Sequence, residues 1–153
     1  MPTTLVAVRH GKPITEGYFD PDLYPLSKEG KIKQKEIVKR LKKDNIIPDV
    51  IYSSPLLRAL QTAKVIAEAY ELEINEIKAL NEFDEDELLQ LLFLQKNKTV
   101  FFVGHAPTLA NFVNKLVGED ILKEGLERSS AAILEFEDDI DYGKAKFIKY
   151  YKP

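Results

Sequence analysis

The residues able to do chemistry sit where apolar runs end. The chain has two histidines, and each adjoins a glycine: Arg9-His10-Gly11 closes the run in "LVAVRHGKP", and Gly104-His105-Ala106-Pro107 closes "TVFFVGHAP". A third run, "DVIYSS", ends in Ser53-Ser54-Pro55, with Arg58 one turn further on. An imidazole can attack, move a proton or donate a hydrogen bond, and a guanidinium fork binds oxyanion oxygens in pairs. Two arginines and two imidazoles around helix starts, where free N–H groups gather, suit a doubly charged oxyanion, with phosphate the obvious candidate. The competing reading of each histidine is a hydrogen-bonded structural residue at a strand end. The coincidence of three such ends with Arg58 favours a site.

Those groups need rigid carriers. Residues 4–9, with Leu5, Val6 and Val8, read as a strand buried on both faces. Residues 12–26 hold three prolines and read as loop. Ser27 caps a helix to about Asn45, with Ile32, Ile37, Val38 and Leu41 inward. A strand follows at 49–54. Ser54 then caps, and Pro55 opens, a helix to about Tyr70. The pattern predicts a strand over 72–80, a leucine-rich helix over 84–96 and a strand over 99–105. Pro107 opens a helix to about Val117, and 131–137 and 144–151 form strands joined by "DDIDYG". Alternating strands and helices imply parallel strands covered on both faces, and the late hairpin makes the sheet mixed. The expectation is a three-layer α/β/α sandwich in a single domain over residues 1–153. In such a sheet the carboxyl ends of the parallel strands form the ligand crevice, and Arg58, leaning back from a first turn, overhangs it.

Composition narrows the function classes. The 153 residues are 44% hydrophobic and 31% charged, with a net charge of −3 and no basic stripe, which argues against nucleic acid. No apolar stretch of membrane-spanning length and no signal peptide are read, so the expected location is cytoplasmic, away from membranes. Without cysteine, disulfides, thiolate nucleophiles and zinc–thiolate sites drop out. Richness in Lys, Glu and Ile suits a heat-adapted source. No pattern demands a partner chain.

"VRHGK", "PLSKEGKIKQ", "SSPLLRALQTA" and "VGHAP", in this order over Leu5 to about Val117, resemble the histidine phosphatase superfamily, the phosphoglycerate mutase-like proteins. The resemblance implies that fold and a phosphohistidine intermediate on His10. It makes Arg9 and Arg58 clamps on the phosphoryl oxygens and His105 a further donor. Gly11 would let backbone approach the phosphate. No metal or other cofactor is implied. A glutamate in an "LNE" context serves the mutase branch as general acid, and Glu82 in "ALNEFDEDE" matches it, with Asp84 and Glu85 as substitutes. The other reading of these acids is a favourable charge at a helix N-terminus. Ser27, Gly30, Gln34, Gln61 and Thr62 look structural, and Ser53 and Ser54 are candidates for capping or phosphate contact.

One departure is Lys12-Pro13, with Glu16 where mutase-type members carry a phosphate-contacting asparagine. It argues against a mutase pocket, and Lys12 is the candidate to contribute charge there instead. The short connection between Glu82 and His105 implies an open site to which water has access, and hence a hydrolase. Compact size is similar to the SixA-like phosphohistidine phosphatases, whereas Glu82 leans toward a phosphomonoester. The expected partner is a phosphorylated small molecule or a phosphohistidine protein. The alternatives are mutase-type phosphoryl transfer and a non-catalytic phosphate-binding module.

Overall fold

A computed structural model describes residues 1–153. Six strands form one sheet in the order β3-β2-β4-β1-β5-β6. They are β1 (Thr3–Arg9), β2 (Val50–Ser53), β3 (Ile74–Glu76), β4 (Thr99–Gly104), β5 (Ala131–Phe136) and β6 (Lys146–Tyr151). The first four run parallel, while β5 is antiparallel to β1 and to β6. The mixed sheet carries helices on both faces, α1 (Lys28–Lys43) and α2 (Leu57–Tyr70) on one, α3 (Ala79–Glu82), α4 (Glu85–Leu94) and α5 (Thr108–Val117) on the other.

Alternation along the central strands builds two cores. Leu5 and Ala7 of β1 and Val100 and Phe102 of β4 meet Leu80, Leu88, Leu109 and Phe112. Val6, Val8, Phe101 and Val103 point the other way, to Ile37, Leu41, Ala63 and Ile66. All four residues from Leu5 to Val8 are fully buried, as a central strand between two helical layers requires.

Four local expectations need correction. The strand expected over 72–80 pairs only through Ile74–Glu76, and the chain then turns into α3, burying Ala79 and Leu80. Alanine and leucine are strong helix formers, and core packing outweighs continuation of an edge strand. Ile32 is 57% exposed. The buried face of α1 is Gly30, Gln34, Ile37, Val38 and Leu41, and Ile32, about 200° round the helix from Gly30, faces water. Pro55 is not a first helical residue: Leu56 holds the N-cap position of α2 without a side-chain bond, and Ser54 serves elsewhere. Pro107 occupies the N-cap position of α5 rather than its first turn. Ser27 does cap α1, accepting from the Gly30 N–H at 3.0 Å.

Candidate active site

Three parallel strands end side by side. Arg9 stands opposite Gly104 in the β1–β4 register, and Ser53 opposite Val103 in β2–β4. The pairing continues one residue further, as the His10 N–H donates to the Gly104 carbonyl and the Ser54 N–H to that of Val103, both at 3.0 Å. On the other side the Ser129 N–H donates to the carbonyls of Arg9 (3.0 Å) and His10 (3.3 Å). The two histidines are thereby brought together, with ring centroids 5.1 Å apart and planes tilted by 59°.

Each ring is held at one nitrogen. His10 Nδ1 lies 2.8 Å from the carbonyl oxygen of Gly11. His105 Nε2 lies 2.8 Å from Ser54 Oγ, which also accepts from the Leu56 N–H at 3.3 Å. Ser54 therefore orients His105, while Ser53 donates to the Ser54 carbonyl at 2.9 Å. His10 is only 7% exposed. Burial pushes its pKa down to about 4, helped by His105, Arg58 and Arg9 and opposed by the bond to Gly11. His105 is likewise pushed down to about 4, by burial and then by Arg58 and Arg9. Both rings are neutral at neutral pH.

The arginines act on both rings electrostatically, yet each is anchored to a backbone carbonyl that sequence reasoning could not foresee. Arg58 Nη1 donates to the Pro21 carbonyl and Arg9 Nη1 to that of Leu126, both at 2.8 Å. Arg9 Nε–H is buried without a partner within the chain, as are the amide group of Gln34 and Ser129 Oγ. Thr62 and Gln61 tie the first loop to α2: Thr62 Oγ1 accepts from the Gly11 N–H at 3.0 Å, and Gln61 Oε1 from the Leu26 N–H at 2.7 Å. Thr62 also donates to the Arg58 carbonyl at 2.8 Å, a spacing of four residues visible in "LRALQTA".

Gly11 has a different reason from the one expected. A Cβ there would meet Leu26 Cδ1 at 2.7 Å, Ser129 Oγ at 2.8 Å and Gly30 Cα at 3.3 Å. Its bare face is filled by protein, not left open to a ligand. Lys12 is also engaged, its Nζ 3.2 Å from Glu29 Oε2.

The acids separate clearly. Asp84 caps α4, accepting from the Glu87 N–H at 3.2 Å. Glu85 is held by Lys115 Nζ at 3.0 Å and by the Tyr142 hydroxyl at 3.1 Å. Glu82, the last residue of α3, is exposed and takes part in no ion pair. Leu80, two residues earlier, packs beside Gly104, its Cδ2 3.6 Å and its carbonyl oxygen 3.7 Å from where a Cβ would stand, so α3 lies next to the end of β4.

A model of the histidine phosphatase superfamily (branch 1) matches residues 5–98. The chain belongs to this superfamily. It is 40% identical over 86 residues to phosphoserine phosphatase 1 of Hydrogenobacter thermophilus, covering 52% of this chain and 38% of that protein. It is 35% identical over 97 residues to a 2,3-bisphosphoglycerate-dependent phosphoglycerate mutase of Parvibaculum lavamentivorans, covering 58% and 45%. The chain thus spans less than half the length of these curated relatives. Its fold matches a crystal structure from Agrobacterium tumefaciens assigned to the phosphohistidine phosphatase SixA, with a TM-score of 0.83, 24% identity and full coverage of both chains. The phosphoglycerate mutase-like three-layer architecture expected from the superfamily motifs is therefore the one observed.

Proposed function

We propose that this histidine phosphatase superfamily member hydrolyses a phosphorylated substrate through a covalent phosphohistidine on His10. The observation that carries the reading is the bond from a buried, neutral His10 to the Gly11 carbonyl. A carbonyl only accepts, so the ring proton sits on Nδ1 and the lone pair is on Nε2. Nε2 attacks phosphorus as the bond to the leaving oxygen breaks, and the Glu82 carboxyl gives that oxygen its proton. The ring gains positive charge, which the Gly11 carbonyl stabilises through Nδ1–H. Arg9 and Arg58 bind the three oxygens over which charge spreads, and His105 donates to one of them. In the second half the Glu82 carboxylate takes a proton from water as its oxygen attacks phosphorus. The P–N bond breaks, returning neutral His10 and releasing phosphate. Positive charge comes from the two guanidiniums.

Hydrolysis rather than retention of the phosphoryl group is supported by the short path from Glu82 to His105, which contains only α4 and β4 and no covering segment. Two substrate classes suit this chemistry. The relative named phosphoserine phosphatase supports a small phosphomonoester, and the likeness in fold to SixA supports the phosphohistidine of a protein. Assay with p-nitrophenyl phosphate in metal-free buffer tests the core of the proposal. Wild type turns over steadily, and His10→Ala loses about a thousandfold or more in kcat, as removal of a nucleophile does. Equal rates for the two proteins would overturn it.

A further inference from the structure

Beside Arg9, on the side away from Ser54, the surface holds a polar recess lined by Arg9, Lys33, Glu127, Arg128 and Pro153. Its cations come from separate elements. Arg9 ends β1, Lys33 is on α1, and Arg128 precedes β5. Arg128 is carried on a firmly held backbone. The next residue, Ser129, donates its N–H to the carbonyls of Arg9 and His10, and the Glu127 N–H donates to the Tyr150 hydroxyl at 2.8 Å. Arg128 has no ion pair, whereas Lys33 pairs only with Glu29, at 3.3 Å, an acid it shares with Lys12.

Three like charges around one recess repel; burial lowers the pKa of Arg9, and the proximity of Arg128 lowers it further. Glu127 is the one carboxylate side chain lining the recess. In a chain whose net charge is −3, this local excess of cations runs against the average. An anion in the recess would relieve the repulsion among Arg9, Lys33 and Arg128. Arg9 joins the recess to the histidine pair, since it lines the recess and directly precedes His10 at the end of β1.

We infer that Arg128 and Lys33 form a subsite for a second anionic group, a carboxylate or a phosphate, carried by the same small substrate whose phosphoryl group is placed at His10. The inference rests on the proposed phosphatase reading. Arg128 and Lys33 touch the remote anion and set specificity, while the bond-making groups stay those around His10.

The test compares wild type with Arg128→Glu and Lys33→Glu on three substrates: p-nitrophenyl phosphate, a phosphocarboxylate such as phosphoserine, and a bisphosphorylated sugar. The charge reversals leave kcat/KM for p-nitrophenyl phosphate within about twofold, because they lie outside the reacting centre. They lower kcat/KM for the doubly anionic substrates by about tenfold, mostly through KM, which corresponds to about 1.4 kcal/mol. A loss confined to one of these two substrates identifies the anion as carboxylate or phosphate. Unchanged discrimination between singly and doubly anionic substrates in both variants would overturn the subsite. Should no protein turn over any ester, the phosphatase reading fails, and calorimetry with orthophosphate and pyrophosphate still decides the subsite. Tighter pyrophosphate binding in wild type that is lost in Arg128→Glu supports it, and an equal preference in both proteins refutes it.

Discussion

The carbonyl of Gly11 holds Nδ1 of His10 and leaves Nε2 with the free lone pair, and no side chain in the sequence announces it. At this scale the arrangement depends on backbone atoms: Gly11 for His10, Pro21 for Arg58 and Leu126 for Arg9. Side-chain identity in the sequence revealed which groups gather, because imidazole and guanidinium at strand ends have few other uses together. It could not reveal their anchors, since any residue supplies a carbonyl. Among the acids, local bonding makes the distinction: Asp84 is spent on a cap and Glu85 on Lys115 and Tyr142, which leaves Glu82 free to carry a proton. A P–N bond breaks without a strong external acid, whereas an alkoxide must be protonated. Glu82→Gln is therefore expected to slow alkyl phosphate hydrolysis by about a hundredfold or more, with a much smaller effect on a phosphohistidine peptide. Parallel assays of the two substrates check this, and equal losses would remove Glu82 as the proton donor.

The elements were legible wherever a run of apolar residues had nowhere to go but the sheet. β1, β4 and the β5–β6 hairpin fall in this class. Legibility failed at the edge, where 72–80 holds apolar residues that serve a short strand and then α3, and on α1, where Ile32 looks like core but faces water. Both failures come from tertiary packing deciding what local pattern leaves ambiguous. Packing also explains the glycine pair that joins α1 to the first loop. A Cβ on Gly30 would stand 2.8 Å from the Lys12 carbonyl oxygen and 2.9 Å from its nitrogen, both backbone atoms with little room to move. Gly30→Ala should thus destabilise the fold by about 1–3 kcal/mol, read as a lower urea midpoint. It should also reduce kcat, because the displaced loop carries Gly11, on which His10 leans. A variant as stable and as active as wild type would show that the loop yields freely.

Across the whole molecule, the two histidines link folding to pH. Both have folded pKa values near 4, below the value of about 6.5 expected in the unfolded chain. Between those limits the unfolded chain binds more protons, so the contribution of the neutral pair is full above about pH 6.5 and is lost as pH falls toward 4. Urea titrations at pH 7, 5.5 and 4.5 should show a falling midpoint. Replacing His105 by Gln, which cannot be protonated in this range, should flatten part of the decline, and an identical slope in both proteins would contradict the assignment.

The position of β1 carries one more consequence. The strand is flanked by β4 on one side and β5 on the other, and the backbone at its end is bonded on both sides, to Gly104 through the His10 N–H and to Ser129 through carbonyls. Fraying at an edge strand does not by itself break the bond from the His10 amide to Gly104, so its exchange is expected to need opening of the central strands. The proposed nucleophile thus sits in backbone whose amide is expected to exchange slowly, and hydrogen exchange at His10 checks this. Gradual loss of activity on storage would report collapse of the central sheet, not a local lapse at the surface.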